Sequence, residues 1–100
     1  MATTIKTMQR YADEVMGYSR VQEYVGSAAV NHYRTARTQP RVVLMPEKHW
    51  KASYGADHCA GVIRVQPWLL ADVHEARALM RHELAHFLNY IRGDARKKPH

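Results

Sequence analysis

Two histidines and a glutamate near the end of the chain have the types and spacing of a zinc site that activates water. The segment His82-Glu83-Leu84-Ala85-His86 matches the pattern H-E-x-x-H. On a helix, residues four apart share one face, so His82 and His86 can bind one Zn²⁺ ion together. Glu83 lies about 100° further round the helix, where its carboxylate can act on a water molecule without binding the metal. The segment therefore predicts two zinc ligands and a general base, the chemistry of a metal-dependent peptidase.

A catalytic zinc also needs a third protein ligand and an open position for water. The candidates are the other residues with metal-binding side chains near the motif or upstream of it: Asp94, His100, His49, Asp57, His58, Cys59 and His74. We favour His100, because the polar segment 94–99 is long enough to bring it back to the metal and because neutral imidazole suits zinc. Segment 57–59 lies in a predicted loop without the C-x-x-C spacing of a zinc site, so we expect other roles for it.

The motif lies in the longest helical pattern of the sequence, which we expect to run from Val73 to about Arg92. Apolar residues recur there at steps of three and four, as on the buried face of an amphipathic helix. They are Val73, Ala76, Met80, Leu84, Phe87, Leu88 and Ile91. Asp72 is a suitable N-cap, and Gly93 is suited to end the helix. The alternative to a metal site is that both histidines are ordinary surface residues of this helix.

The rest of the chain predicts two further helices and two short strands. Residues 4–16 and 19–37 have helical periodicity, and 41–45 is a short apolar run typical of a strand buried on both faces. Residues 47–60 lack a clear period and predict a loop, with room for a short strand of its own. Tyr11 is expected to pack against the core with its hydroxyl at the rim.

Residues 62–66 predict the second strand, and the proline that follows it cannot donate a hydrogen bond to a sheet. We therefore expect Val62–Gln66 to end early or to lie at a sheet edge, where a substrate can pair with it as an added strand. Trp68, Leu69 and Leu70 are expected to pack the beginning of the last helix.

Positive charge is in excess, with 15 Lys and Arg against 9 Asp and Glu and a net charge of +6. This balance favours an anionic partner, of which nucleic acid is the commonest, although it also serves solubility alone. The basic residues near the end of the second helix and in the tail can bind a phosphate backbone: Arg34, Arg37, Arg41, Arg96, Lys97 and Lys98. The alternative is a solvated helix end and an ordinary basic tail.

Length and composition predict a small protein of one domain, without disulfide bonds or membrane-spanning segments. One hundred residues correspond to one domain, and the single cysteine excludes an internal disulfide, which fits a reducing compartment. The chain has no apolar run long enough to span a membrane, and its first residues do not resemble a signal peptide. We expect a cytoplasmic or nucleoid-associated protein and assume a monomer.

These features resemble the SprT-like metalloproteases, a family that includes the Spartan proteases. That family has an H-E-x-x-H helix, a third histidine further downstream, and an upstream strand written I-R-L-N. The corresponding stretch here is Val62-Ile63-Arg64-Val65-Gln66-Pro67-Trp68-Leu69-Leu70, followed by Arg81 and the motif. The resemblance covers about residues 35–100. It implies that His82, His86 and His100 bind zinc and that Glu83 is the catalytic base.

The resemblance also implies a fold and a substrate class. The fold is a small zincin-like α+β domain of minigluzincin type spanning residues 1–100. It has about three helices packed on a short, mostly antiparallel sheet, with the active-site helix at the C-terminal end. The implied activity is peptide hydrolysis by Glu83-assisted attack of zinc-bound water on proteins bound or crosslinked to DNA. Two alternatives remain: a non-catalytic, basic DNA-binding module with a structural zinc, and a zinc protease that cleaves one specific regulator.

Overall fold

In the part of the chain that the structure describes, three helices and three short strands form, largely where the hydrophobic periodicity predicts them. The computed structural model describes residues 1–29 and 39–91. The elements are α1 (Ile5–Met16), α2 (Ser19–Ala29), β1 (Arg41–Leu44), β2 (Ala56–Cys59), β3 (Val62–Val65) and α3 (Val73–Ile91). Short 3₁₀ helices cover Glu47–His49 and Pro67–Ala71. The predicted small α+β domain is confirmed, whereas the predicted extension of the second helix through 30–38 lies outside the described residues.

Helix α1 begins at a side-chain cap and buries one stripe. The Thr4 hydroxyl accepts a hydrogen bond from the main-chain N–H of Thr7 (3.1 Å), which satisfies a donor that the first turn leaves without a partner. Met8, Ala12 and Met16 lie four residues apart and are fully buried. Helix α1 therefore packs by one face against the sheet and α3.

The sheet is mixed, and β3 is its central strand. The strand order is β1-β3-β2, with β1 parallel to β3 and β2 antiparallel to it. The expectation that Val62–Gln66 lies at a sheet edge is therefore wrong, because β3 has a hydrogen-bonded neighbour on each side. Within the described part of the chain, the strands that have one neighbour are β1 and β2.

A tight turn joins β2 to β3. Ala60 and Gly61 connect the strands with positive φ angles of 50° and 88°, as in the two-residue turns whose twist suits a hairpin. The main-chain N–H of Gly61 donates to Nε2 of His58 (3.0 Å), which holds the turn closed. The segment predicted as a loop thus contains the strand β2, which the sequence pattern did not resolve.

Helix α3 closes the core with the predicted apolar stripe. Ala76, Met80, Leu84, Phe87 and Ile91 are at most 2% exposed. The carboxylate of Asp72 accepts hydrogen bonds from the main-chain N–H groups of His74 and Glu75, at 2.9 and 3.4 Å, and so begins the helix as predicted. The stripe fixes the rotation of α3, and with it the direction of the side chains between the stripe positions.

Two packing expectations are wrong in detail. Strand β1 is not buried along its length: Val42 is buried, but Leu44, on the same face, is 44% exposed, and Arg41 on the opposite face is exposed as well. Of the segment expected to pack the beginning of α3, Leu69 is buried, whereas Trp68 is 49% exposed. Tyr11 follows its prediction, since it is half-buried and its hydroxyl accepts a hydrogen bond from Arg81 (3.0 Å). None of the helices described here is long and apolar enough to cross a membrane.

Candidate functional site

His82 and His86 lie one turn apart on the outward side of α3 and turn their rings toward each other. Their Nε2 atoms are 3.2 Å apart, the ring planes are nearly perpendicular at 87°, and the ring centroids are 4.7 Å apart. Two nitrogen ligands at zinc-binding distance with tetrahedral geometry are separated by about 3.4 Å. The two imidazoles therefore converge with the separation that a shared zinc ion requires.

Glu83 points to the inside of the protein, although it lies next to His82 in the sequence. Its side chain is 1% exposed, and Oε1 has no hydrogen-bond partner among the described residues. Burial, followed by the nearby carboxylate of Asp57, raises the pKa of Glu83 to about 7. Burying a carboxyl oxygen that lacks a hydrogen bond is costly, so its presence beside two convergent imidazoles favours a chemical role over a packing role.

A cavity of about 350 Å³ is lined in part by Glu83. Its walls are segment 53–56, Trp68 and Leu79, together with His82 and Glu83. The side chain of Gln66 is fully buried and holds the segment before the cavity, because its Nε2 donates to the carbonyl of His49 (2.8 Å). Because Glu83 is one of the lining residues, a substrate in this cavity would lie next to the candidate base.

The histidine on β2 is not arranged as a metal ligand. His58 is 5% exposed, and its Nε2 accepts the N–H of Gly61. Its ring meets Phe87 and Tyr90 edge-on, at centroid distances of 5.8 and 5.5 Å. Burial, and next the nearby His86, lowers the pKa of His58 to about 4, so this imidazole is neutral at pH 7. These contacts with the hairpin and the core are those of a structural residue.

Two further upstream candidates, Asp57 and Cys59, lie on β2 on either side of His58. Asp57 forms a two-pronged ion pair with Arg64, its cross-strand neighbour, and Cys59 is an exposed free thiol. Over residues 1–29 and 39–91, no group of three His, Cys, Asp or Glu side chains is arranged to hold a metal ion. His100, the predicted third ligand, and Asp94 lie outside the described residues, so the third ligand stays a prediction.

Of the residues predicted to contact nucleic acid, one lies in the described part of the chain. Arg41 is exposed at the beginning of β1. Arg34, Arg37, Arg96, Lys97 and Lys98 lie outside the part of the chain that the structure describes.

A cationic surface that the sequence did not suggest lies beside the motif. The guanidinium of Arg77 lies over the ring of Tyr11, 5.3 Å from its centroid, and Arg81 binds the hydroxyl of the same tyrosine. These partners are separated by about seventy residues in the chain, so no local pattern links them. The one local indication in the sequence is the spacing of Arg77 and Arg81, which lie four residues apart and so share one face of α3.

Comparison of this chain with protein-family models, with curated proteins and with solved structures finds no match. The resemblance to SprT-like proteases therefore depends on the motif and its preceding strand alone.

Proposed function

We propose that the protein is a zinc-dependent peptidase in which Glu83 is the general base. The observation that carries this proposal is the buried carboxyl of Glu83, whose Oε1 has no hydrogen-bond partner among the described residues, next to two imidazoles whose Nε2 atoms converge to 3.2 Å. A structural helix surface would need neither feature. His82 and His86 would hold the zinc ion, with His100 as the predicted third ligand.

The chain's own residues divide the chemistry between them. When bound, zinc supplies a Lewis acid that acidifies a water molecule and polarises the peptide carbonyl. Glu83 takes the proton of the attacking water and delivers it to the leaving amine. Burial suits this carboxyl to both steps, because a pKa of about 7 lets it accept and release a proton near neutral pH.

A substrate can bind along β2, the edge strand next to α3. Among the described residues, β2 pairs with β3 on one side, and its outer edge has no partner strand. An extended peptide can add to such an edge by main-chain hydrogen bonds, which tolerate many sequences. Ala56 begins β2 and also lines the cavity beside Glu83, so a peptide on this edge passes the base.

The proposed substrates are proteins bound or crosslinked to DNA. The resemblance to SprT-like proteases and the net charge of +6 support this class. Arg81 directly precedes His82 on α3, and the surface that it forms with Arg77 and Tyr11 can bind a phosphate backbone. We propose a nucleoid-associated location on the same grounds.

The decisive experiment is zinc stoichiometry combined with cleavage of an unfolded protein, with and without DNA. The parent is expected to bind one zinc ion per chain and to cleave. His100→Ala should weaken zinc binding, and Cys59→Ala, a change at an exposed thiol, should leave it unchanged. Glu83→Gln should keep zinc and lose turnover.

The outcomes separate the alternatives. Zinc without cleavage, together with salt-sensitive DNA binding, would favour a DNA-binding module with a structural metal. Cleavage of one protein only would favour a protease dedicated to one regulator. Full turnover in Glu83→Gln would refute the assignment of the base.

A further inference from the structure

The cavity beside Glu83 has the size and the walls of a side-chain binding site. Its volume of about 350 Å³ lies at the small end of ligand pockets. That volume suits one side chain and its main chain better than a large cofactor. We propose that the cavity between Tyr54, Gly55, Trp68 and Leu79 binds an aromatic or large aliphatic side chain of an extended polypeptide. This inference rests on the proposed peptidase function and names the substrate class of that site.

The chemistry of the walls selects an apolar occupant. Trp68 and Tyr54 are 49% and 39% exposed, so large ring surfaces face solvent at the rim, and Leu79 continues the apolar surface inward. Within the described residues, the ionisable side chains of the lining besides Tyr54 are those of His82 and Glu83. Covering the rings with an apolar side chain removes their surface from water, which is favourable. A lysine or arginine side chain would find no carboxylate there except the one that the reaction uses.

A glycine sets the shape of the cavity floor. A Cβ atom at position 55 would lie 2.9 Å from Cδ1 of Leu79 and 3.1 Å from Cη2 of Trp68. The glycine therefore lets both walls pack directly against the main chain. The main-chain N–H of Gln66 donates to the carbonyl of Gly55 (2.8 Å), which fixes this floor relative to the sheet. A methyl group there would push Leu79 or Trp68 into the cavity and reduce the space for an occupant.

The cavity is continuous with the edge of β2. Gly55 immediately precedes Ala56, the first residue of that strand, and both residues line the cavity. A peptide paired with β2 presents alternate side chains to opposite sides. One side chain of a bound peptide can therefore enter the cavity while the neighbouring peptide bond lies beside Glu83. Selection at this position predicts cleavage in unfolded segments, since folded proteins bury most large apolar side chains.

Two experiments test this inference, and one of them requires no cleavage. The zinc-free Trp50→Phe protein retains Trp68 as its single tryptophan, so its fluorescence reports the cavity. It is titrated with N-acetylphenylalanine amide and, for comparison, N-acetylglycine amide. The zinc-loaded parent is then incubated with a mixed peptide library, and the cleavage sites are identified by mass spectrometry.

We expect saturable binding of the phenylalanine amide alone, and cleavage sites enriched in aromatic and large aliphatic residues at one fixed position. Gly55→Ala should weaken the binding at least about tenfold and shift the cleavage preference to smaller residues. Leu79→Ala should shift the preference to larger residues. Tyr18→Ala, at a tyrosine that is 50% exposed outside the cavity, should change neither result. Circular dichroism verifies that each variant is folded.

The two readouts separate this inference from the proposed function. Cleavage without a side-chain preference would overturn the inference and leave the peptidase proposal standing. Saturable binding that Gly55→Ala weakens, without any cleavage, would support the cavity and refute the peptidase. Absence of both binding and preference would overturn the inference.

Discussion

Strand β2 and helix α3 each carry an acidic residue and a histidine that are adjacent in the sequence. The two pairs differ in the hydrogen-bond partners of their polar groups. On β2, Asp57 is paired with Arg64, and His58 accepts a hydrogen bond from Gly61. On α3, the carboxyl of Glu83 is buried with an oxygen that no described residue contacts by a hydrogen bond. His82 instead directs its Nε2 toward that of His86.

The comparison shows which polar groups stabilise the fold and which are available for chemistry. On β2, both oxygens of Asp57 and Nε2 of His58 accept hydrogen bonds within the hairpin, so this pair contributes to the sheet. On α3, burial of the Glu83 carboxyl disfavours its charged form, at a cost to folding that no described hydrogen bond to Oε1 offsets. Each pair combines a carboxylic acid with a histidine, and the surrounding contacts distinguish the two pairs.

The largest expected effect is the loss of turnover when the carboxylate of Glu83 is replaced by its amide. Glu83→Gln should reduce the turnover number about 10³-fold, because the amide cannot accept the proton of water. Asp57→Asn, the matched change on β2, should retain most of the turnover. Steady-state cleavage of an unfolded protein by both zinc-loaded variants measures the difference. Equal losses in the two variants would show that the sites are not functionally distinct.

The zinc-free protein should show two opposing pH dependences of stability. The pKa of Glu83 is raised from 4.5 to about 7, so its contribution is full below pH 4.5 and is lost as the pH rises through 7. The pKa of His58 is lowered from 6.5 to about 4, so its contribution is full above pH 6.5 and is lost as the pH falls through 4. Between pH 4.5 and 6.5 the two slopes, each up to about 1.4 kcal/mol per pH unit, should nearly cancel.

Urea unfolding of the parent and single variants at several pH values tests this cancellation. Glu83→Gln should lose stability as the pH falls from 6.5 to 4.5, because the His58 contribution then acts alone. His58→Gln should instead gain stability over the same fall in pH. His74→Gln, at an exposed histidine of α3, serves as the control and should follow the parent. Parallel curves for all four proteins would contradict the two assignments.

A smaller effect is expected from the ion pair on β2. Asp57→Asn leaves Arg64 partly buried without its carboxylate, since these side chains are 13% and 28% exposed, respectively. We expect a loss of about 1 kcal/mol in the free energy of unfolding, at the level of a pair near the surface. A double-mutant cycle with Arg64→Met measures the coupling by urea unfolding. A coupling energy of zero would show that the ion pair between Asp57 and Arg64 does not stabilise the protein.

The smallest effect is expected at the turn between β2 and β3. Ala60 has a φ of 50°, a conformation that asparagine adopts more readily than alanine. Ala60→Asn places Asn before Gly61, the preferred pair for such a turn, and should stabilise the protein by about 0.5 kcal/mol. Thermal unfolding measures the gain, and turnover should not change. A loss of stability would mean that the hairpin has another geometry.

Much of the fold could be predicted from local patterns. Helix α1 begins after Thr4 and α3 begins after Asp72, and the side chain of each of these residues caps the first turn. The apolar stripe of α3 is buried as its spacing predicts, because a helix has one period and the core covers one side of it. The strand at residues 56–59 was harder to predict from the sequence, because a four-residue strand that carries Asp and His lacks a clear alternation of apolar side chains.

Parts of the site could be predicted only in outline. The spacing of His82 and His86 predicted convergent imidazoles, and helix geometry alone is enough for this. The cavity at Gly55 could not be predicted, because its walls come from segments joined by the tertiary fold. The cluster of Tyr11 with Arg77 and Arg81 was missed for the same reason.

The sequence by itself determined the helices, the apolar stripe and the one-turn separation of the two histidines, since these follow from the backbone periods and from local capping. The tertiary structure decided that Val62–Val65 is a central strand, that His58 serves the hairpin, and that Glu83 is buried beside an apolar cavity. Strand neighbours, burial and pKa values depend on residues far apart in the chain, and packing brings those residues together.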